Sequence, residues 1–181
     1  WSVTVALYID QMGNQHIVDI WPGLKEAVYG LAVDLGSTTI AAHLCNLSSG
    51  EVVAAAGVMN PQIRFGEDLM SRVSYVMMNP GGDVEMTNAV RAAIDDLIGE
   101  TCAEADVARE RIFEAVFVCN PVMHHLFLGI DPTELGWAPF ALATSPMAST
   151  SSHSVRAQSQ QKTFYWKFNL FPLGVFTSRL F

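Results

Sequence analysis

An apolar strand that runs into an acid, a glycine and three hydroxyls, Leu31-Ala32-Val33-Asp34-Leu35-Gly36-Ser37-Thr38-Thr39, constrains this chain more than any other feature. Gly36 can take φ > 0 or let another group come close to the backbone, and the N–H groups and hydroxyls of Ser37, Thr38 and Thr39 offer donors to an anion. Asp34 would face that same anion. A carboxylate beside phosphate is repulsive unless a hard cation stands between them, so the pattern points to a nucleotide, with Mg²⁺ held by Asp34 directly or through water. The plain alternative is a β-turn with a chance run of hydroxyls. The context favours the first reading. Thr38 to Leu44 reads as a second strand, Asn46 to Gly50 as a turn and Glu51 to Ala54 as a third strand, which makes the hydroxyl-rich turn the first connection of an antiparallel meander.

Beyond the meander the periodicity becomes helical. Gly66 to Met78 carries Leu69, Val73 and Val76 on one face, and Asn79-Pro80-Gly81-Gly82 interrupts it. Asp83 is a candidate N-cap for an amphipathic helix of about four turns through Met86, Val90, Ile94 and Leu97, with Gly99 as its expected end. A charged link, Thr101 to Arg111, leads into the apolar run Ile112 to Cys119, which reads as a buried strand. Asn120-Pro121 then opens a short helix that Gly129 closes. Ahead of the meander, Ser2 to Ile9 and His16 to Ile20 flank a turn at Gln11 to Asn14 and predict a hairpin.

The hydroxyl turn between two antiparallel strands resembles the first phosphate loop of the ASKHA superfamily, which includes acetate and sugar kinases, heat-shock chaperones and actin. Two further stretches narrow the resemblance. Asn60-Pro61-Gln62-Ile63-Arg64-Phe65-Gly66-Glu67-Asp68 with Ser71-Arg72 is one, and Val118-Cys119-Asn120-Pro121-Val122-Met123-His124-His125-Leu126-Phe127-Leu128-Gly129-Ile130-Asp131-Pro132 is the other. Together they resemble the middle region of the ATP-dependent reductive activators of corrinoid proteins, over residues 20 to 146. Sugar kinases and the cluster-bearing activators of acyl-CoA dehydratases commonly place a basic residue soon after the phosphate turn, where this chain has Ile40-Ala41-Ala42.

The resemblance implies an α/β fold: an incomplete actin-like, ribonuclease H-like half-domain in which the strand ending at Cys119 lies parallel to the one ending at Leu35. Asn120 would then sit beside the turn, either as a nucleotide or cation contact or as a helix cap. Asp34, Gly36, Ser37, Thr38 and Thr39 become the phosphate and Mg²⁺ residues. Asn60, Arg72 and His124 become candidates for loop or partner contacts, with Arg72 either a surface ion-pair residue or an anchor for the Asn60-Pro61-Gln62 loop. Members of the family couple ATP to the reduction of a Co(II) corrinoid to Co(I) for methyl transfer. They carry a [2Fe–2S] cluster in an N-terminal ferredoxin-like domain, and a C-terminal region completes the ATP site and the dimer contacts. Cys45, Cys102 and Cys119 lack cluster spacing, so this chain is expected to hold the middle part alone and to be inactive by itself. The competing readings are a non-catalytic binding module with protein contacts only, and another ASKHA ATPase or kinase.

Charge and composition bound the remaining classes. No apolar run approaches the ~18 residues of a membrane span and no leader precedes one, so a cytoplasmic protein is expected. The net charge is −8, which disfavours a nucleic-acid partner. His124 and His125 are adjacent on a helix and point about 100° apart, so they cannot share one metal ion as an i, i+4 pair would. All acids precede residue 135, whereas 147–181 holds only basic charge, a Ser- and Gln-rich run and the string Phe164-Tyr165-Trp166-Lys167-Phe168. The division expected is residues 1–29 as the end of a linker, 30–146 as the actin-like middle domain, and 147–181 as an atypical tail, disordered or aberrant.

Overall fold

The computed structural model describes residues 2–9 and 12–141, with four short strands beyond them. The first two strands, β1 (Val3–Ile9) and β2 (Gln15–Pro22), form the expected antiparallel hairpin. It meets the body of the molecule where the Trp21 ring stands edge-on to Phe113, centroids 5.3 Å apart.

A meander follows, β3 (Tyr29–Leu35), β4 (Thr39–Asn46) and β5 (Val52–Met59), all antiparallel. Two helices, α1 (Leu69–Met78) and α2 (Gly82–Glu104), then lead to β6 (Ile112–Cys119), which pairs parallel with β3, and α3 (Pro121–Leu128) closes the unit. The sheet order β5-β4-β3-β6 is the mixed arrangement expected for an actin-like half-domain. Helical chain must intervene before β6, because a parallel partner cannot be reached by a tight turn. Past residue 141 the backbone of β7 (His153–Val155), β8 (Phe164–Trp166), β9 (Asn169–Leu170) and β10 (Val175–Arg179) is described, with β10 antiparallel to β6. The remainder of 147–181, and with it the expectation of a disordered tail, lies outside the described residues. No helix of the described residues is long and apolar enough to cross a membrane.

The core follows from period-two alternation in the strands. Leu31, Val33 and Leu35 of β3, Ile40, Ala42 and Leu44 of β4, and Ala115 and Phe117 of β6 are buried on one face. Val90, Ile94 and Leu97 of α2 and Met123 and Phe127 of α3 cover that face. The intervening positions Ala32, Asp34, His43, Ala55 and Val118 are exposed on the other. A second cluster, Val73, Met86, Val122, Leu126 and Leu135, joins the three helices.

Three helix boundaries differ from expectation. The first helix starts at Leu69 rather than Gly66, because Asp68 and Ser71 form a reciprocal cap: Ser71 N–H donates to Asp68 Oδ1 at 2.7 Å and Asp68 N–H to Ser71 Oγ at 3.1 Å. The second is capped by Gly81, whose φ of 86° turns the chain, so Asp83 lies inside the first turn, where its charge favours the helix dipole. Nor does α2 stop at Gly99. It runs on to Glu104, burying Thr101 and Cys102, and turns only at Asp106, with φ of 52°. Glycine in a helix costs about 0.5–1 kcal/mol, less than burying another turn of side chains returns.

Gly99 is exposed, and a Cβ there would meet nothing within 4 Å. Gly99→Ala is therefore predicted to stabilise the chain by about 0.5–1 kcal/mol, read as a higher denaturant midpoint at unchanged slope.

Candidate functional site

Strands β3 and β6 end together. Asp34 is paired with Val118 and Leu35 with Cys119, so the turn after β3 and the start of α3 share one edge of the sheet, the edge where α/β folds gather ligand contacts. Asp34 is exposed there, Ser37 half-buried, and Thr38 and Thr39 exposed. Gly36 has no positive φ; a Cβ on it would lie 2.6 Å from the Thr39 carbonyl oxygen. Close approach of backbone, rather than a left-handed conformation, is what requires glycine. Asn120 caps α3, its Oδ1 accepting from Met123 N–H at 2.9 Å. Burial, and after it the Asp34 carboxylate, pushes the Cys119 thiol up to about 12, which keeps it neutral.

Beneath the turn lies a buried polar cluster. Asn60 is fully buried and caps the short 3₁₀ turn Pro61–Phe65 by accepting from Gln62 N–H at 2.9 Å. Its Nδ2 donates to Gly36 O at 2.8 Å and its backbone N–H to Thr38 O at 2.7 Å. Gln62 donates through Nε2 to Met86 O at 2.9 Å. Arg72, on the first turn of α1, is fully buried. It donates through Nε to Gly66 O at 2.9 Å, through Nη1 to Gln62 Oε1 at 3.3 Å and Met123 Sδ at 3.1 Å, and through Nη2 to Ser37 O. Burial lowers its pKa from the ordinary value, and the Asp68 carboxylate acts the other way. A Cβ on Gly66 would come within 2.5 Å of Ser71 Oγ and 2.7 Å of Arg72 N, so no side chain fits where α1 begins.

Of the two readings of Arg72 left open by the sequence, the structure shows the anchor, and the anchor reaches the hydroxyl turn as well as the Asn60 loop. Gln62, Gly66 and Met123 were not singled out from sequence. The signal for part of this was present in Asp68-x-x-Ser71, which fixes the start of α1 and places Arg72 one turn from the Gly66 carbonyl.

His124 does not offer its ring at the surface as a partner contact would. It is 4% exposed and His125 1%, because α3 is covered on almost every side. The two rings meet edge to face, centroids 5.5 Å apart. His125 Nδ1 lies 2.7 Å from Pro121 O, and a carbonyl can only accept, so that nitrogen carries the proton. Helix α2 satisfies the far end of α3: Thr87 Oγ1 donates to Leu126 O at 2.6 Å and Arg91 Nε to Phe127 O at 2.9 Å. Among the described residues no group of three or more His, Cys, Asp or Glu is placed to hold a metal ion. The three cysteines lie on β4, α2 and β6.

Residues 29–169 match the family model of the RACo middle region, a span that passes the change of composition at residue 147. The chain is similar to the corrinoid activation enzyme RamQ of Eubacterium limosum, 32% identical over 136 residues that make up 74% of this chain and 23% of that protein. It is also similar to a solved structure, a reductive activator for corrinoid, iron-sulfur protein, with a TM-score of 0.70 and 39% identity over 78% of this chain and 22% of that one. The chain thus spans less than a quarter of the length of either.

The buried histidines predict a pH dependence. Burial, and secondarily His125, lowers His124 to about 4. The unfolded chain protonates this group near 6.5, so stability is complete above that pH and falls as the pH drops toward 4. Denaturant unfolding at pH 7 and pH 5 is expected to show a loss of about 2 kcal/mol from His124, a slope that His124→Gln flattens.

Proposed function

This chain belongs to the RACo family through the middle region that residues 29–169 form, and from that premise we propose that it supplies the first phosphate turn of an ATP-dependent reductive activator of corrinoid proteins. The observation that carries the reading is the placement of the Asp34–Thr39 turn at the shared end of β3 and β6, with a glycine where backbone crowding excludes any side chain. The names of both relatives support corrinoid activation as the role of the whole protein.

The residues fit a nucleotide with a hard cation. Ser37, Thr38 and Thr39 would hold phosphate oxygens through hydroxyls and N–H groups, and Asp34 would hold Mg²⁺, directly or through water. Mg²⁺ would neutralise phosphate charge there. Asn120 adds a polar group at the same edge while capping α3. Hydrolysis of ATP to ADP and phosphate would drive the one-electron reduction of the partner's Co(II) to Co(I), the electron coming from a [2Fe–2S] cluster in another part of the protein. Cys45, Cys102 and Cys119, dispersed on three elements, are no ligand set for such a cluster. A cytoplasmic setting, a corrinoid-protein partner and a homodimer of the complete protein belong to the same proposal.

The test is Asp34→Ala in the complete protein. Corrinoid-stimulated ATP hydrolysis and ATP-dependent Co(I) formation are expected to fall at least a hundredfold, while dithionite still reduces the cluster. A well-folded variant with near-normal ATPase and Co(I) yield would overturn the assignment. The present chain, which carries one side of the cleft, is expected to bind Mg-ATP with a dissociation constant weaker than about 1 µM by isothermal titration.

A further inference from the structure

Three consecutive carbonyls of the hydroxyl turn are gripped from inside the protein. Gly36 O accepts from Asn60 Nδ2, Ser37 O from Arg72 Nη2, and Thr38 O from the Asn60 backbone N–H. In a trans peptide the C=O of one residue and the N–H of the next lie in one plane and point in opposite directions. Holding these three oxygens toward Asn60 and Arg72 therefore turns the N–H groups of Ser37, Thr38 and Thr39 away from those two residues.

We propose that Asn60 and Arg72 are positioning residues for nucleotide phosphates, acting as a two-residue clamp that fixes the direction of three successive peptide N–H groups. The proposal rests on the reading of the turn as a nucleotide site and assigns to two buried residues the task of presenting donors alone to the anion. A turn without the clamp could rotate a peptide plane and aim a carbonyl at the phosphates, which is repulsive. The two grips are built differently. Arg72 is itself held by Gly66, Gln62 and Met123, so its Nη2 has a fixed approach to Ser37. Asn60 is held by its own cap on Gln62 N–H, which orients the amide so that Nδ2 meets Gly36 O.

The test uses the complete protein with Asn60→Ser and Arg72→Lys. Serine keeps the cap on Gln62 N–H and loses the donor to Gly36 O. Lysine keeps the charge and loses the fork. Both are expected to raise the KM for ATP at least tenfold, with the KM for the corrinoid protein unchanged and the melting temperature within a few degrees. A purely structural role would lower the melting temperature and leave KM for ATP in the remaining folded enzyme within twofold of the parent, which would overturn the clamp. Should Arg72→Lys not fold, Asn60→Ser decides alone by the same criterion. Asp34→Ala measured alongside separates the two ideas: if it abolishes ATPase while the clamp variants keep a normal KM, the clamp is wrong and the site stands. If Asp34→Ala is also normal, the site reading itself has failed.

Discussion

A positive charge sealed inside the protein organises this half-domain. Isolating a guanidinium from water is costly unless its donors are met, and Arg72 meets that condition with two backbone carbonyls, an amide oxygen and a thioether sulfur. The four acceptors come from four separate stretches: the β3–β4 turn, the 3₁₀ turn Pro61–Phe65, the approach to α1, and α3. Each stretch is thereby pinned to the same point. Removing any one acceptor leaves a buried donor unsatisfied at a cost of about 1–3 kcal/mol, so the loops around the turn are coupled to one another more tightly than their surface position implies. Met123 illustrates this: its sulfur is 3.1 Å from Nη1, and leucine, which fills the same volume, would offer that nitrogen nothing.

The hydrophobic core has a different task. Side chains of β3, β4 and β6 against α2 and α3 supply the bulk of the folding free energy, and they fix β3 beside β6 so that two loops meet at one edge. The core sets where the turn lies, and the polar cluster beneath sets which of its groups face outward. Helix α2 serves both layers. It covers the sheet, receives the Gln62 amide at Met86 O, and closes the carbonyl end of α3 through Thr87 and Arg91.

Much of this was legible in the sequence because it is local. The alternation in Leu31 to Leu35, the Asn120-Pro121 opening of α3 and the Gly129 stop each contain their own signal, and the resemblance to corrinoid activators added the parallel placement of β6, which no local pattern reveals. The misjudged points are those where tertiary packing outweighs a local cue. Gly99 reads as a stop, but Thr101 and Cys102 beyond it have a core to enter. His124 was open to assignment because a short helix buried on nearly all sides carries no periodicity to say that both rings are dry. Arg72 was half legible. Its tie to Gly66 is local, whereas Ser37 and Met123 lie 35 and 51 residues away along the chain, beyond the range of any sequence window.

The parallel pairing of β3 with β6 also sets an order of events during synthesis. The strand that ends at Leu35 leaves the ribosome about 80 residues ahead of its partner Cys119, an interval on the order of 4–16 s at ordinary elongation rates. Throughout that interval β3 has β4 on one side and an open edge on the other, apolar and ready to pair with any passing strand. Arg72 emerges well before Met123 does, so the turn remains incompletely held until α3 arrives. The end of the sheet that carries the Asp34–Thr39 turn is thus among the last parts of the unit to mature, and the nascent chain must be protected longest there.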